Sequence, residues 1–301
     1  MTLSVVIATY NRAAMVRQAI EAVLAQSRPP NEVVVMDDAS TDATPETLAA
    51  LAAAHPTLRI FRQATNSGGI ESWNAATAQS RGDYIAFCTD DDRFLPGHLE
   101  NSVAYLEEHP DVGVVHSGFI DAVESAGDLT FEPRPLRSKV PLRTSRLGLL
   151  SYMTRYYDWP FHPSTLVLRR AVWETSGGYN PAYALADTDW FVRVVEQTPA
   201  VLLPRFGVYN RRHPGNWSNR LGSARMQREI FEIVEGSIAR LFEGSSLSCA
   251  GRRAGWRAIW RTTVRLHLLL TMWARLKTGH SDAACAAWSG VLRNTGLTLP
   301  I

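Results

Sequence analysis

Cysteine is scarce in this chain: 301 residues carry three, Cys88, Cys249 and Cys285. Their odd number and their lack of metal-ligand spacing fit a reducing compartment and give no cysteine-held metal. Long apolar runs are missing as well. No stretch of about 18 uninterrupted apolar residues occurs, which argues against a spanning helix. "MTLSVVIATYNR" has no basic n-region and only a short apolar run, so no signal peptide is expected, and the expected location is cytoplasmic. An excess of one charge is also lacking: 31 Lys and Arg stand against 29 Asp and Glu, a formal net charge of +2. Such a balance does not mark a nucleic-acid binder. Neither GxGxxG nor GxxxxGK[ST] occurs after the first apolar run, so dinucleotide-binding and P-loop functions lose their main warrant.

What is present is an ordinary globular composition, 46% hydrophobic and 20% charged, long enough to bury a sizeable core. "LSVVIATY" reads as a strand buried on both faces. Val16, Ala19, Ile20, Val23 and Leu24 then recur at helical spacing. "VVVM" is a second strand ending on Asp37 and Asp38, and a helix runs from Pro45 to about Ala54. "LRIFRQ" is a third strand, "IESWNAATAQS" a helix after the loop "NSGG", and "YIAFC" a fourth strand. This alternation predicts an α/β fold with a mostly parallel sheet between helices. Ligands of such sheets bind beyond the carboxyl ends of the strands, and there stand Tyr10-Asn11, Asp37-Asp38, Asn66 and the run Asp90, Asp91, Asp92. Adjacent carboxylates repel, and loss of solvent worsens the repulsion. A positive partner belongs at that spot.

Six blocks, "VVIATYNR", "VVVMDDASTD", "NSGG", "RGDYIAFCTDDD", "SGGYN" and "ALADTDWFVRV", follow one another in order. Together they resemble the inverting family-2 glycosyltransferases with the GT-A fold, over roughly residues 2 to 215. The resemblance implies transfer of a sugar from a nucleotide-diphosphate donor to the hydroxyl of a glycan, a lipid-linked sugar or a small molecule. It also implies a divalent cation, Mn²⁺ or Mg²⁺, which prefers carboxylate oxygens and neutralises the diphosphate leaving group. Asp91 is then the metal ligand and Asp90 a ribose or outer contact, while Asp92 orients the loop, coordinates through water or caps the turn. The family pattern often begins with Asp where Thr89 stands.

Thr9, Tyr10 and Arg12 match the family's nucleotide-facing loop, with Tyr10 able to stack on a base. Asp38 could accept from the N3–H of uracil or thymine, favouring UDP or dTDP, or be a turn residue. Trp73 packs over the donor or is a core aromatic. The base that takes the acceptor proton falls on Asp187, with Ala186 where the family carries glutamate; the plainer alternative for Asp187 or Asp189 is a helix cap. His213 is a third metal ligand, closes over the phosphates with Arg211 and Arg212, or is structural. His162 is an acceptor-side candidate, and His98 belongs to a helix start. No QxxRW-like block occurs, which points to single addition rather than processive synthesis. The rivals are a nucleotidyltransferase and a catalytically silent nucleotide-sugar-binding scaffold.

A division into 1–220, the catalytic domain, and 221–301, a helical region, is expected. Between Gly244 and Ser281 there are seven Lys or Arg and no acidic residue. Segment 252–277 would lie on an anionic membrane at its inner face, or pack on the catalytic domain or on a second copy in a homodimer. The polar segment 131–145 is expected to form an acceptor-side lid.

Overall fold

The apolar run that opens the chain becomes β1 (Leu3–Thr9), all seven residues of which are buried. The architecture comes from a computed structural model that describes residues 1–125, 128–133, 139–144, 162–216 and 223–242. After β1 come α1 (Ala13–Leu24), β2 (Glu32–Asp37), α2 (Thr44–Ala54), β3 (Leu58–Arg62), α3 (Gly69–Gln79) and β4 (Tyr84–Phe87). Val16, Ala19, Ile20 and Val23 of α1 are buried, as their spacing requires. The order β3-β2-β1-β4 is parallel throughout. That is the arrangement right-handed strand–helix–strand units dictate.

Beyond β4 the chain forms β5 (Arg93–Phe94), α4 (His98–Glu108), β6 (Val114–Ser125), β7 (Asp128–Pro133) and β8 (Leu142–Thr144). A 3-10 turn (Pro163–Thr165) leads into β9 (Leu166–Arg169) and α5 (Arg170–Ser176); α6 (Ala186–Val195), β10 (Ala200–Arg212) and α7 (Ser223–Phe242) follow. Here the sheet turns mixed: β9 runs antiparallel between β4 and β6, β10 lies parallel to β6, and β5 adds antiparallel to β10. The register of β10 on β6 shifts between Leu202 and Val208, where Pro204 and Gly207 interrupt the alternation, as prolines inside sheets require. Val5, Ile7, Val33, Val35, Ala86, Leu99, Val103, Val167 and Val201 form the core across both halves of the sheet.

The expected lid at 131–145 is corrected in part. Residues up to Pro133 belong to β7, paired with β6, and Leu142–Thr144 are β8, paired with β10. The segment 131–145 starts midway through β7, which ends on Pro133, and β8 has only three residues, so the segment reads as loop. Residues 134–138 and the basic segment 252–277 lie outside the described residues.

The chain divides into two units. The first comprises Met1–Ser145, Phe161–Ala182 and Asp189–Pro214, and the second Arg146–Pro160, Tyr183–Thr188 and Gly215–Ile301. The described part of the second unit includes the start of α6 and all of α7, whose Ile233 and Val234 are buried. Among the described residues no helix is long and apolar enough to cross a membrane.

Candidate functional site at the strand ends

Parallel strands deliver their following residues to one edge, and the ends of β1 and β4 meet there. Thr9 closes β1, and its hydroxyl donates to Asp90 Oδ2 at 2.8 Å. Arg12, at the start of α1, has no side-chain cap to make. Its Nη1 instead bridges Asp90 Oδ1 and Asp91 Oδ2, 2.7 Å from each. The positive charge that the acidic run demanded is therefore supplied within the chain by Arg12. His213, just past the end of β10, brings Nε2 to 3.2 Å from Asp91 Oδ2. Thr9, Arg12, Asp90, Asp91 and His213 thus converge on one spot.

Asp92 faces the other way. Its Oδ2 accepts from Ser164 Oγ at 2.5 Å and lies 3.1 Å from His162 Nδ1, while Oδ1 accepts the Arg211 backbone N–H at 3.1 Å. Ser164 Oγ also accepts from the Thr89 N–H at 2.9 Å. The acidic loop is thus pinned on one side by "HPST" (162–165) and on the other by β10. Asp92 is an anchor, and His162 is turned to that anchor. Sequence reasoning missed Ser164 altogether: nothing local marks a serine whose partners lie 72 and 75 positions away. The opposed orientations of Asp90 and Asp92 appear in their acidities. Burial pushes the Asp90 carboxyl up to about 6, with Arg12 pulling down and Asp91 pushing up. Burial acts on Asp92 in the same direction, yet His162 and the hydroxyl donors outweigh it and hold the group below its ordinary value. Burial also pushes the Cys88 thiol well up, so no thiolate nucleophile stands beside the acidic run.

Asp38 is buried, and both its oxygens are engaged: Oδ1 accepts Ser67 N–H (2.8 Å) and Oγ (3.0 Å), and Oδ2 accepts Gly68 N–H (2.9 Å). It ties the "NSGG" loop, and with it the start of α3, to the end of β2. Asn11 and Ala39, just past β1 and β2, hold left-handed backbone at φ 53° and 61°. For alanine this costs roughly 1–2 kcal/mol. Its neighbour Ser40 is held by Asp37 Oδ1 on its N–H (3.0 Å) and by Arg62 on its carbonyl (2.7 Å). Tyr10 stands exposed between these loops. Trp73 is half-buried and packs edge-on against Phe87, 5.4 Å between centroids. That ring also touches Trp173, Tyr179 and Trp190, so Trp73 extends the core aromatic cluster. Its neighbour Asn74 exchanges two hydrogen bonds with the Tyr179 backbone and fixes the "GGYN" turn.

Asp187 belongs to the second unit, at the second position of α6, half-buried, with Oδ1 accepting the Thr188 N–H at 2.8 Å. In the first unit Asp189 pairs with Arg193 at 2.9 Å, whose Nη2 donates to the Gly178 carbonyl. His98 sits at the first position of α4, as expected, and burial lowers its pKa to about 4, so it is neutral.

Among the described residues no group of three His, Cys, Asp or Glu could hold a metal ion by itself. Asp91 and His213 nevertheless offer a carboxylate and an imidazole to the same point. Mg²⁺-type sites take one or two protein ligands and complete their shell with phosphate oxygens and water. The Asp91 carboxylate fits such an ion, with the His213 imidazole beside it.

Residues 4–142 match the family described as glycosyl transferase family 2. EpsE of Bacillus subtilis (strain 168), which bears a provisional glycosyltransferase name, is 30% identical over 203 residues, 64% of this chain and 66% of its own. The chain spans about 60 to 66% of the length of the curated relatives it matches first. Residues 1–349 of S. aureus TarS, solved with UDP-GlcNAc, superpose with a TM-score of 0.70 at 18% identity, covering 97% of this chain and 80% of that one. A mannosyltransferase from Pyrobaculum calidifontis, solved with GDP-Man and Mn²⁺, gives 0.55 at 18% identity, covering 93% of this chain and 88% of that one. At these identities the likeness to the solved structures is one of fold.

Proposed function

Because the chain belongs to glycosyl transferase family 2 and has the GT-A fold, we propose that it is a metal-dependent, inverting, non-processive hexosyltransferase. It moves a sugar from a UDP or dTDP donor to an acceptor hydroxyl, in the synthesis of a glycan, a polysaccharide or a glycosylated natural product. The observation that carries this reading is the convergence of Thr9, Arg12, Asp90, Asp91 and His213 at the ends of β1, β4 and β10. A site that gathers two carboxylates, a guanidinium and an imidazole at strand ends suits a diphosphate and its cation.

Asp91 and His213 would hold Mn²⁺ or Mg²⁺. When bound, the ion supplies Lewis-acid stabilisation of the departing diphosphate. Arg12, an always-charged fork suited to phosphate, neutralises the same charge from the protein side. Thr9 and Asp90 orient the ribose end, Tyr10 offers a ring to the base, and Asp38 sets the base-side loop through Ser67 and Gly68. Trp73 supports the donor side through Phe87. Asp187 accepts the proton of the attacking hydroxyl, as one base must in a single displacement. The division at 220/221 goes with this reading: a catalytic part and a helical part whose segment 252–277 offers a surface to an anionic membrane or to a second copy. The proposed location is the cytoplasm, peripheral to the inner face of the membrane.

The test is thermal stabilisation by UDP, dTDP, GDP and CDP, each with and without Mn²⁺, in wild type and Asp91→Ala. A ligand at about 100 times its Kd stabilises by about 2.7 kcal/mol. UDP or dTDP should stabilise only with Mn²⁺ and only with Asp91 intact. Silence towards every nucleotide would refute the reading. A second reading, nucleotide-sugar binding without catalysis or metal, draws on Arg12 already bridging Asp90 and Asp91; its signature is metal-independent stabilisation.

A further inference from the structure

The residues that lead into the helix that carries Asp187 are not of the usual capping types. Tyr183, Ala184, Leu185 and Ala186 precede or open it, and none has the short side-chain acceptor that normally takes the orphan N–H groups of a first turn. Asp187 is already inside the helix, and its Oδ1 takes the adjacent Thr188 N–H. The missing acceptor comes from α7, 44 residues on: Glu229 Oε2 accepts the Leu185 N–H at 2.8 Å. Glu229 is 4% exposed, and its other oxygen is held by Arg225 Nε at 2.9 Å, one turn earlier. A buried carboxylate with one oxygen on a helix start and the other on a neighbouring arginine has a single geometry available to it. It also places negative charge where the helix dipole favours it.

We propose that Glu229 is a positioning residue for Asp187: it fixes the backbone two residues before the carboxylate and so sets where that carboxylate points. The inference rests on the reading of Asp187 as the base. It assigns a role in the reaction to α7, which lies outside the segment matched to the family. It also accounts for a chain that has Ala186 beside its base: the stabilising carboxylate is delivered from another helix.

The experiment uses the full chain with Glu229→Ala, Glu229→Gln, Glu229→Met and Asp187→Asn. Two readouts are taken: nucleotide release from UDP-glucose, UDP-N-acetylglucosamine and dTDP-glucose with water as acceptor, and peptide-level amide exchange across 183–189. Misplacing a reacting group by about 1 Å costs on the order of 100-fold. Glu229→Ala should therefore lower kcat by about 10- to 100-fold, leave the donor KM within about two-fold, and speed exchange in 184–188. Glu229→Gln keeps an acceptor oxygen and should restore protection and most of kcat. Glu229→Met fills the space without an acceptor and should behave as alanine does, which covers the case of an alanine variant that does not fold.

Unchanged kcat in Glu229→Ala and Glu229→Met, or a failure of glutamine to rescue, overturns the inference. If Asp187→Asn is dead while the Glu229 variants turn over normally, only the role of Glu229 falls. If Asp187→Asn keeps wild-type turnover, the base reading itself falls, and this inference with it. Should no donor be turned over by wild type, unaltered protection of 184–188 in Glu229→Ala refutes the contact on which the inference stands.

Discussion

Replacing Asp90 with asparagine should make the ligand-free protein more stable, and only above mildly acid pH. Asp90 is 6% exposed, and burial moves its carboxyl from 3.8 to about 6 even with Arg12 2.7 Å away. A displacement of that size corresponds to roughly 3 kcal/mol against the ionised form. The sign follows from proton counting. Below about pH 4 the carboxyl is protonated in both folded and unfolded chains and carries no penalty. Between about pH 4 and 6 the unfolded chain releases the proton while the folded chain keeps it, so stability falls as pH rises. Above about pH 6 the full penalty is present. Asparagine stands in for the protonated carboxyl at every pH, and Arg12 keeps its partner Asp91. The stability difference between Asp90→Asn and wild type should therefore grow from near zero at about pH 4 to roughly 2–3 kcal/mol at neutral pH. Urea titrations of both proteins across this range measure it, because titrations of groups remote from Asp90 cancel in the difference. A difference that does not change with pH would refute the claim that Asp90 ionises at a cost. The same variant should lose its response to UDP with Mn²⁺, which separates a stability gain from a functional one.

Two further outcomes follow from the pinning of the loops. Ser164→Ala removes a donor to buried Asp92 and an acceptor for the Thr89 N–H. It should cost about 1–3 kcal/mol and raise the Mn²⁺ concentration needed for UDP stabilisation about ten-fold, read in the same melting assay; an unchanged Mn²⁺ requirement counts against the anchoring role. Asp38→Asn should loosen the "NSGG" loop, because both oxygens of Asp38 accept N–H groups and an amide would set its NH₂ against one of them. Faster amide exchange at 66–69 and a loss of about 1–3 kcal/mol are expected; unaltered exchange would show that the loop is held by other contacts.

The amino-terminal half of the fold was legible because its information is local. Buried parallel strands are continuous apolar runs, helices repeat at their own period, and strand ends share an edge by topology alone. That reasoning brought Tyr10-Asn11 and the run Asp90 to Asp92 to one edge, and the family resemblance added Thr9 and Arg12. It could not see that Arg12 would bridge the two carboxylates, because the bridge depends on a guanidinium reaching to 2.7 Å from a loop 78 residues away. Ser164 and Glu229 escaped for the same reason: a serine in "HPST" and a glutamate on an amphipathic helix look like any other until a distant backbone group is placed against them. The lid expectation began inside β7, at residue 131, and β8 has only three residues, too few to show a period; pairing with β6 and β10 is what makes them strands.

β10 has a consequence for when the acidic loop gains its last partners. The backbone at Arg211 holds Asp92 across 119 residues, and His213 reaches Asp91 across 122. The units up to β4 are built from neighbouring segments, the kind of contact that forms early as a chain is synthesised. Closure over the acidic loop waits for a strand made more than a hundred residues later. Until then the three aspartates lack two of their fixed partners. A nascent or half-folded chain would therefore carry the acidic loop without its completed geometry.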